Sequence, residues 1–400
     1  MILELKIKNF LSFKEEATFS FEATKDKSFE DYQVVEVAPN ARILRLALVY
    51  GANASGKSNL INAFEFIRFF WLNNPDNKDK STEVVPFLLD QTTPNEPSEF
   101  SLIFYIGRTK YMYSLKLDKK TVLSENLSMY QGTRPSLIFT RKLHNGVSEI
   151  TFNSKRIKIS QTAKDEITIR CLTNMSVLAA YNQVNVAFPE MENVIKWIKT
   201  QYYVPYNESN TVGLIKYVEE IITKDNPSKD LILNFLQQAD FNITNVNTGI
   251  IENDKTETEF EHRIINKEGK EEFFRLLKKN QSKGTLRTFG LAGAICKTIE
   301  ANAFLAIDEI ESSLHSLLVE FIIEYFFKRK GQSQLLLTTH YDGLLEEDDL
   351  FRKDSIWFTY KNKNGSTELY SLADFRGINR IASLQKAYKY GKFGAVPNIL

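Results

Sequence analysis

Residues 45–58 read Arg45-Leu46-Ala47-Leu48-Val49-Tyr50-Gly51-Ala52-Asn53-Ala54-Ser55-Gly56-Lys57-Ser58. The apolar run Leu46–Tyr50 stops at Gly51. The octet Gly51–Ser58 then has the form G-x-x-x-x-G-K-S, and a helix-like stretch, Asn59–Trp71, follows. Strand, glycine loop and helix in that order is the setting in which a backbone cradles phosphate. Gly51 and Gly56 let the chain curl so that the N–H groups of Asn53, Ala54, Ser55 and their neighbours converge on one anion. The helix start, with Asn59, adds its partial positive charge. Lys57 is placed to reach the β- and γ-phosphates, and Ser58 to offer a hydroxyl to Mg²⁺. The pattern predicts an α/β P-loop NTPase core.

Four hundred residues suit two lobes or domains rather than one core. The net charge of +1 provides no global field toward nucleic acid or membrane. The two cysteines, Cys171 and Cys296, lie in apolar settings and read as buried free thiols of a reducing compartment. No Cys/His spacing suggests a metal site. The N-terminus has no signal-peptide character, and the apolar run Leu317–Phe327 is interrupted by Glu320 and Glu324. The expectation is a cytoplasmic protein with no membrane contact.

Before the loop, strands are expected at residues 2–8, 13–21 and 44–50, with 22–40 a charged surface loop. After it, the aromatics from Phe64 to Trp71 read as core. Strands are then expected at 100–106, 110–117, 122–130, 137–142 and 148–152, separated by turn signals, which makes an antiparallel lobe. A helix is expected at 160–172, and a strand at Ser176–Tyr181 ending in Asn182-Gln183. Helical periodicity returns at 191–203, 212–223 and 229–239, with a turn at Asn226-Pro227, and strands follow at 241–251, 257–266 and 271–277. The organisation expected is 1–184, the first part of the core with its antiparallel lobe; 185–278, a helical/mixed insert; and 279–400, the second part of the core. No heptad run supports a coiled-coil arm.

The second half supplies the acids. Ala303–Ile307 is an apolar strand ending in Asp308-Glu309. Asp308 fits the Mg²⁺ shell, and Glu309 fits the group that orients and deprotonates the attacking water. Leu335-Leu336-Leu337-Thr338-Thr339-His340 is a strand ending 31 positions past Glu309, where His340 could sense the γ-phosphate. Gln281-Ser282-Lys283-Gly284-Thr285 opens a helix. Ser282 and Gly284 are either an ordinary N-cap or a second anion site for a γ-phosphate held by another subunit. Arg376–Lys392 is basic and carries Tyr388 and Tyr390, which makes it either a phosphate or partner contact or a solvated helix face.

The order of phosphate loop, Ser-x-Gly helix, Asp-Glu strand, Ser-Leu-His and Thr-His resembles an ATP-binding-cassette-type ATPase head. Lys57 and Asp308 lie 251 positions apart. That is unlike transporter subunits and similar to the heads of chromosome-organising and recombination-repair ATPases, whose N-terminal pattern Leu5–Phe13 resembles, although Leu11 stands where some repair heads have arginine. The closer resemblance is to the OLD-like AAA ATPases of bacterial phage-defence operons, the Rlo-type and abortive-infection ATPases. It is carried by Gly51–Asn59, Pro86-Phe87-Leu88-Leu89, Ser282–Thr285, Ile307–His315 and Gly391–Pro397. The signature departs from Leu-Ser-Gly-Gly-Gln.

The resemblance implies an ABC/SMC-type ATPase head with an antiparallel β lobe and a helical/mixed insert, using ATP and Mg²⁺. It implies a homodimer or higher even oligomer with ATP sandwiched between heads. It also implies control of a separately encoded effector, commonly a Toprim-type nuclease, in antiviral defence; no Toprim domain is evident in this chain. A DNA-repair or recombination ATPase that binds DNA, and a scaffold that binds ATP without turnover, are the alternatives. Gln183 is the candidate for the glutamine that couples Mg²⁺ to the lobes, the other reading being a surface polar residue.

Overall fold

Every residue of the strand Leu46–Gly51 is buried, and this strand is the centre of a five-stranded sheet. The structure is a computed structural model, and it describes residues 1–132, 134–153, 159–203, 211–223, 228–239, 242–251, 255–347 and 349–396. Beside the central strand runs Gln334–Thr339, and beyond that Phe304–Ile307, both parallel to it. On the other side runs Ile356–Lys361, also parallel, with Thr367–Ser371 antiparallel at the edge. The two strands that carry the acids and the histidine, FLAI and QLLLTT, are likewise buried at every residue, as parallel strands covered on both faces must be.

The period-2 alternation of these strands divides the interior. Ala47, Val49, Ala306, Leu336 and Trp357 face one core; Leu46, Leu48, Tyr50, Leu305, Ile307, Leu335 and Leu337 face another. The first core is closed by the helix Lys57–Leu72 and by a seven-stranded antiparallel sheet. Its order is Val147–Phe152, Arg134–His144, Val122–Gln131, Thr109–Leu117, Ser98–Ile106, Ile2–Lys8, Ala17–Ser20. The aromatic stripe is core as expected at Phe64, Phe66, Phe70 and Trp71, whereas Phe69 is 39% exposed; Trp71 meets Tyr113 edge-on at 4.9 Å, and Phe66 stacks on Phe100 at 5.0 Å. A buried glutamine ties the two sheets together. Gln334 accepts from Ile2 N at 2.6 Å and donates to the carbonyls of Ile2 and Leu44.

The second core holds the helices Lys283–Glu300 and Ser316–Lys328 with Thr211–Thr223, Ser228–Gln238 and the sheet Ile243–Ile251, Lys255–Ile265, Glu271–Leu277. This is an α/β fold whose parallel sheet carries the glycine loop, with an antiparallel β lobe and a mixed insert. The insert is not one packing unit, however. The helix Pro189–Gln201 buries Met191, Val194, Trp197 and Ile198 in the first core, whereas residues 211–277 pack in the second.

Three expectations about elements fail. Val177–Tyr181 is a helix, not a strand. The cause is tertiary: the buried Glu125 carboxylate accepts from Ser176 Oγ at 2.6 Å and Val177 N at 2.9 Å, so a carboxylate sits at the helix start. Residues 22–40 are not simply a loop, since they contain a helical turn, Glu30–Gln33, and a strand, Val34–Ala38, paired with Ala41–Leu44. The strand expected over 13–21 is only Ala17–Ser20, because Phe10 and Phe13 close a tight turn on each other. Asn226-Pro227, Phe241 and Pro397 lie outside the described residues.

Both cysteines are buried and free. Burial pushes each thiol up to about 12, which keeps it protonated and unreactive at neutral pH. Among the described residues no helix is long and apolar enough to cross a membrane.

Candidate phosphate-binding site

The glycine loop leaves the C-terminal end of the central strand and is pinned from the neighbouring hairpin. Thr359 pairs with Gly51 in register, and its Oγ1 lies 2.6 Å from Ser55 Oγ. Thr367 Oγ1 donates to Ser55 O at 2.8 Å and accepts from Ser12 Oγ at 2.7 Å, and Asn59 Nδ2 donates to the same Ser12 oxygen. These contacts explain both glycines. A Cβ on Gly51 would lie 2.5 Å from Ser55 Oγ and 2.6 Å from Thr359 O. Gly56 has φ 111°, and its Cβ would lie 2.7 Å from Thr367 Cγ2. Ala54 also holds a left-handed φ, 59°.

Lys57 is folded back under the loop. Its Nζ donates to Gly51 O at 2.9 Å and Ala52 O at 3.1 Å and lies 3.4 Å from His340 Nδ1. Burial pushes this ammonium down from 10.5 to about 8, against the pull of Asp308, Glu309 and Glu311. With Nδ1 accepting from the lysine, the ring N–H of His340 is assigned to Nε2, which lies 3.6 Å from Glu309 Oε1.

The acids are held from the histidine strand. Thr338 Oγ1 donates to Asp308 Oδ1 at 2.5 Å and accepts from Glu309 N at 2.8 Å. Arg287, in the helix Lys283–Glu300, donates to Glu309 O at 2.7 Å. Glu309 itself has φ 47°, a costly conformation for a residue with a Cβ. The result is a side chain about half exposed beside His340. Glu311 Oε1 accepts from the backbone N of His340 at 2.5 Å, which ties the acid loop to the histidine.

The loop, Glu309 and His340 line one cavity of about 570 Å³, and Asp308 lies behind its wall, bonded to Thr338. Its wall comprises Asn53–Asn59, Glu309, His340, Leu11, Ser12, Val85–Leu89, Lys361 and Gly365. A second cavity of about 740 Å³ lies along the other side of the loop, against Gly51, Tyr360, Tyr388 and Val396, and shares Asn53, Ser55, His340 and Lys361 with the first. Among the described residues no three His, Cys, Asp or Glu gather as a metal cluster. The oxygen set that suits Mg²⁺ here is the exposed Ser58 hydroxyl with the oriented Asp308 carboxylate, the remaining ligands coming from phosphate and water.

Ser282 and Gly284 do not line either cavity. Ser282 caps its helix, its Oγ accepting from Thr285 N at 3.0 Å, and is exposed. A Cβ on Gly284 would lie 2.9 Å from Ser313 O, so this helix start abuts the loop that follows the acids. Gln183 is on the exposed turn after the helix Val177–Tyr181, away from both cavities, and the strand that suggested it is absent. The basic segment supports its plainer reading. Tyr388 is buried, Lys389 pairs with Asp342 at 3.2 Å, and Arg376, Lys386 and Lys392 face solvent.

Sequence reasoning missed Thr338, Thr359, Thr367, Arg287 and Lys361. The strand-end pair Thr338-Thr339 was a visible signal, since β-branched hydroxyls at a strand end beside acids are placed to bond them. The others face the loop only through the fold.

The family described as "AAA domain, putative AbiEii toxin, Type IV TA system" matches residues 46–153 and 218–346. No match is found among the curated proteins. Among solved structures, the SMC head domain from Thermotoga maritima is 12% identical, with 92% of this chain and 98% of that chain covered at a TM-score of 0.45. An SmcHead bound to the C-winged helix domain of ScpA is 14% identical, covering 96% and 99% at 0.45. An Smc head domain with an extended coiled coil, bound to the C-terminal domain of ScpA derived from Pyrococcus furiosus, is 13% identical, covering 98% and 98% at 0.43.

Proposed function

The chain belongs to the AAA family whose description names the AbiEii toxin of type IV toxin–antitoxin systems, and from that premise we propose that it is a Mg²⁺-dependent ATP hydrolase whose heads pair around ATP and control a separate effector in antiviral defence. The observation that carries the ATPase reading is the shared cavity. Asn53–Asn59, Glu309 and His340 come from three distant stretches and wall one space.

The roles follow from placement. Asn53–Asn59 present the loop's N–H groups and helix start to the phosphates. Lys57, released from the carbonyls of Gly51 and Ala52, supplies positive charge. Ser58 and Asp308 would hold Mg²⁺, which supplies charge neutralisation between the β- and γ-phosphates. Glu309 takes the proton of the attacking water, and its strained backbone keeps the carboxylate aimed into the cavity. His340 lies between Lys57 and Glu309 and registers the γ-phosphate.

Ser282 is exposed and borders neither cavity of its own chain, which leaves it free for a nucleotide held by another copy of the chain. The partner is then a second head, arranged head to tail. The effector, a Toprim-type nuclease in this reading, is a separate chain, and the location is the cytoplasm. No observation here favours the alternative of a DNA-repair ATPase, since the basic segment is largely a solvated face.

The test is to weigh Glu309→Gln in solution with Mg-ATP. A dimer that forms with ATP and disperses with ADP is expected. A species that stays monomeric at micromolar concentration would sink the sandwich, although not the binding role of the loop.

A further inference from the structure

The motif Pro86-Phe87-Leu88-Leu89 has no part in the phosphate chemistry, yet it is built into the cavity wall. The segment around it is clamped. Leu11 N donates to Val85 O at 2.8 Å, Phe87 N to Asn9 Oδ1 at 3.0 Å, and Thr93 Oγ1 to Phe87 O at 2.8 Å. Asn9 is buried and also donates to the carbonyls of Thr93 and Glu96. Both Asn9 and Leu11 hold a left-handed φ, 51° and 50°. At the far end Lys14 pairs with Asp90 at 2.7 Å.

The clamp buries Pro86 and Phe87 and turns three large apolar side chains outward: Val85 at 39% exposure, Leu88 at 55% and Leu89 at 66%. Leu89 rests against the hairpin tip, where a Cβ on Gly365 would lie 2.5 Å from its Cδ1. Single exposed leucines are ordinary. Three apolar side chains fixed together on a rigid strap inside a phosphate cavity are a surface awaiting an apolar face.

We propose that Leu11, Val85, Leu88 and Leu89 form the slot for the nucleobase of the bound nucleoside triphosphate. This rests on the phosphate reading of the loop and adds the base to it. A base offers flat faces that leucine side chains cover well. The slot has little with which to read a base edge: the Ser12 hydroxyl beside it is engaged by Asn59 and Thr367. Selection is therefore by stacked area. Purine triphosphates bind more tightly than pyrimidine ones, and ATP and GTP are separated only weakly.

The experiment measures calorimetric affinities of the full chain for ATP, CTP and inorganic tripolyphosphate, in the wild type, Leu88→Ser/Leu89→Ser and Leu88→Met/Leu89→Met. The serine pair should weaken ATP by about tenfold or more and leave tripolyphosphate unchanged, while the methionine pair keeps wild-type affinity. ATP affinity unchanged in the serine pair overturns the slot. So does an equal loss for ATP and tripolyphosphate, which would place the effect on the phosphates. Unchanged ATP affinity with loss of ATP-driven pairing in the Glu309→Gln background would assign the leucines to a surface between copies instead. Lys57→Ala separates the two readings: if ATP binds that variant with undiminished affinity, the phosphate reading has failed by itself.

Discussion

The chain has two Ser/Gly turns that open long helices, and they are finished differently. At Gly51–Ser58 the neighbouring hairpin pins the loop through Thr359 and Thr367, the cation lies folded beneath it, and Asn53–Ser58 wall a cavity with Glu309 and His340 of the same chain. At Ser282–Gly284 the hydroxyl caps its own helix, the residue is exposed, and it borders neither cavity. The same local chemistry, a helix start with small residues, becomes a binding site only where the tertiary structure supplies a wall and a counter-group. The first turn is complete within one chain.

Lys57→Ala should break the first turn most severely. Losing the one buried cation of the loop should weaken Mg-ATP by about 30-fold or more, read by calorimetry. Undiminished binding would mean the loop is misread. Ser282→Arg should leave the affinity of a single chain for ATP unchanged and lower turnover on the order of 10²-fold, with loss of the ATP-driven dimer in sedimentation. Equal turnover would return Ser282 to the status of a helix cap.

The pH dependence sharpens the comparison further. Lys57 is depressed to about 8 in the empty protein, so its charge costs folding stability below that pH and the cost fades as pH rises toward 10.5. Phosphate binding requires the charged form and runs the other way. ATP affinity should be flat below pH 8 and fall by up to about tenfold per unit above it, whereas Lys57→Arg should flatten the profile. The smallest effect is expected from Thr338→Val, which leaves the Glu309 N–H without its acceptor and frees the Asp308 carboxylate. Stability should drop by about 1–3 kcal/mol in denaturant unfolding, with turnover reduced and ATP affinity retained.

Much of this was legible beforehand because it is local. Gly51–Ser58 is a contiguous octet, and the acid pair and His340 each end an apolar run, so periodicity alone placed them at strand ends. The antiparallel lobe was legible from its alternation and turns. What failed was decided at a distance. Val177–Tyr181 is as apolar as a strand and becomes a helix because Glu125, fifty residues away, caps it. Gln183 fell with it, since its candidacy depended on ending a strand. The pinning of Ser55 by Thr359 and Thr367 spans more than three hundred residues and leaves no pattern along the chain.

By itself the sequence determined the phosphate loop, the acids, the histidine and the order of elements, because each is written in spacing a few residues long. Only the tertiary structure decided that the loop, Glu309 and His340 share one cavity and that Ser282 does not border it. It also decided that the strap 85–89 exposes its leucines on that cavity's wall. The physical reason is that parallel strands bring their ends together through buried faces. Which residue meets which across those faces depends on packing and register, to which sequence spacing is blind.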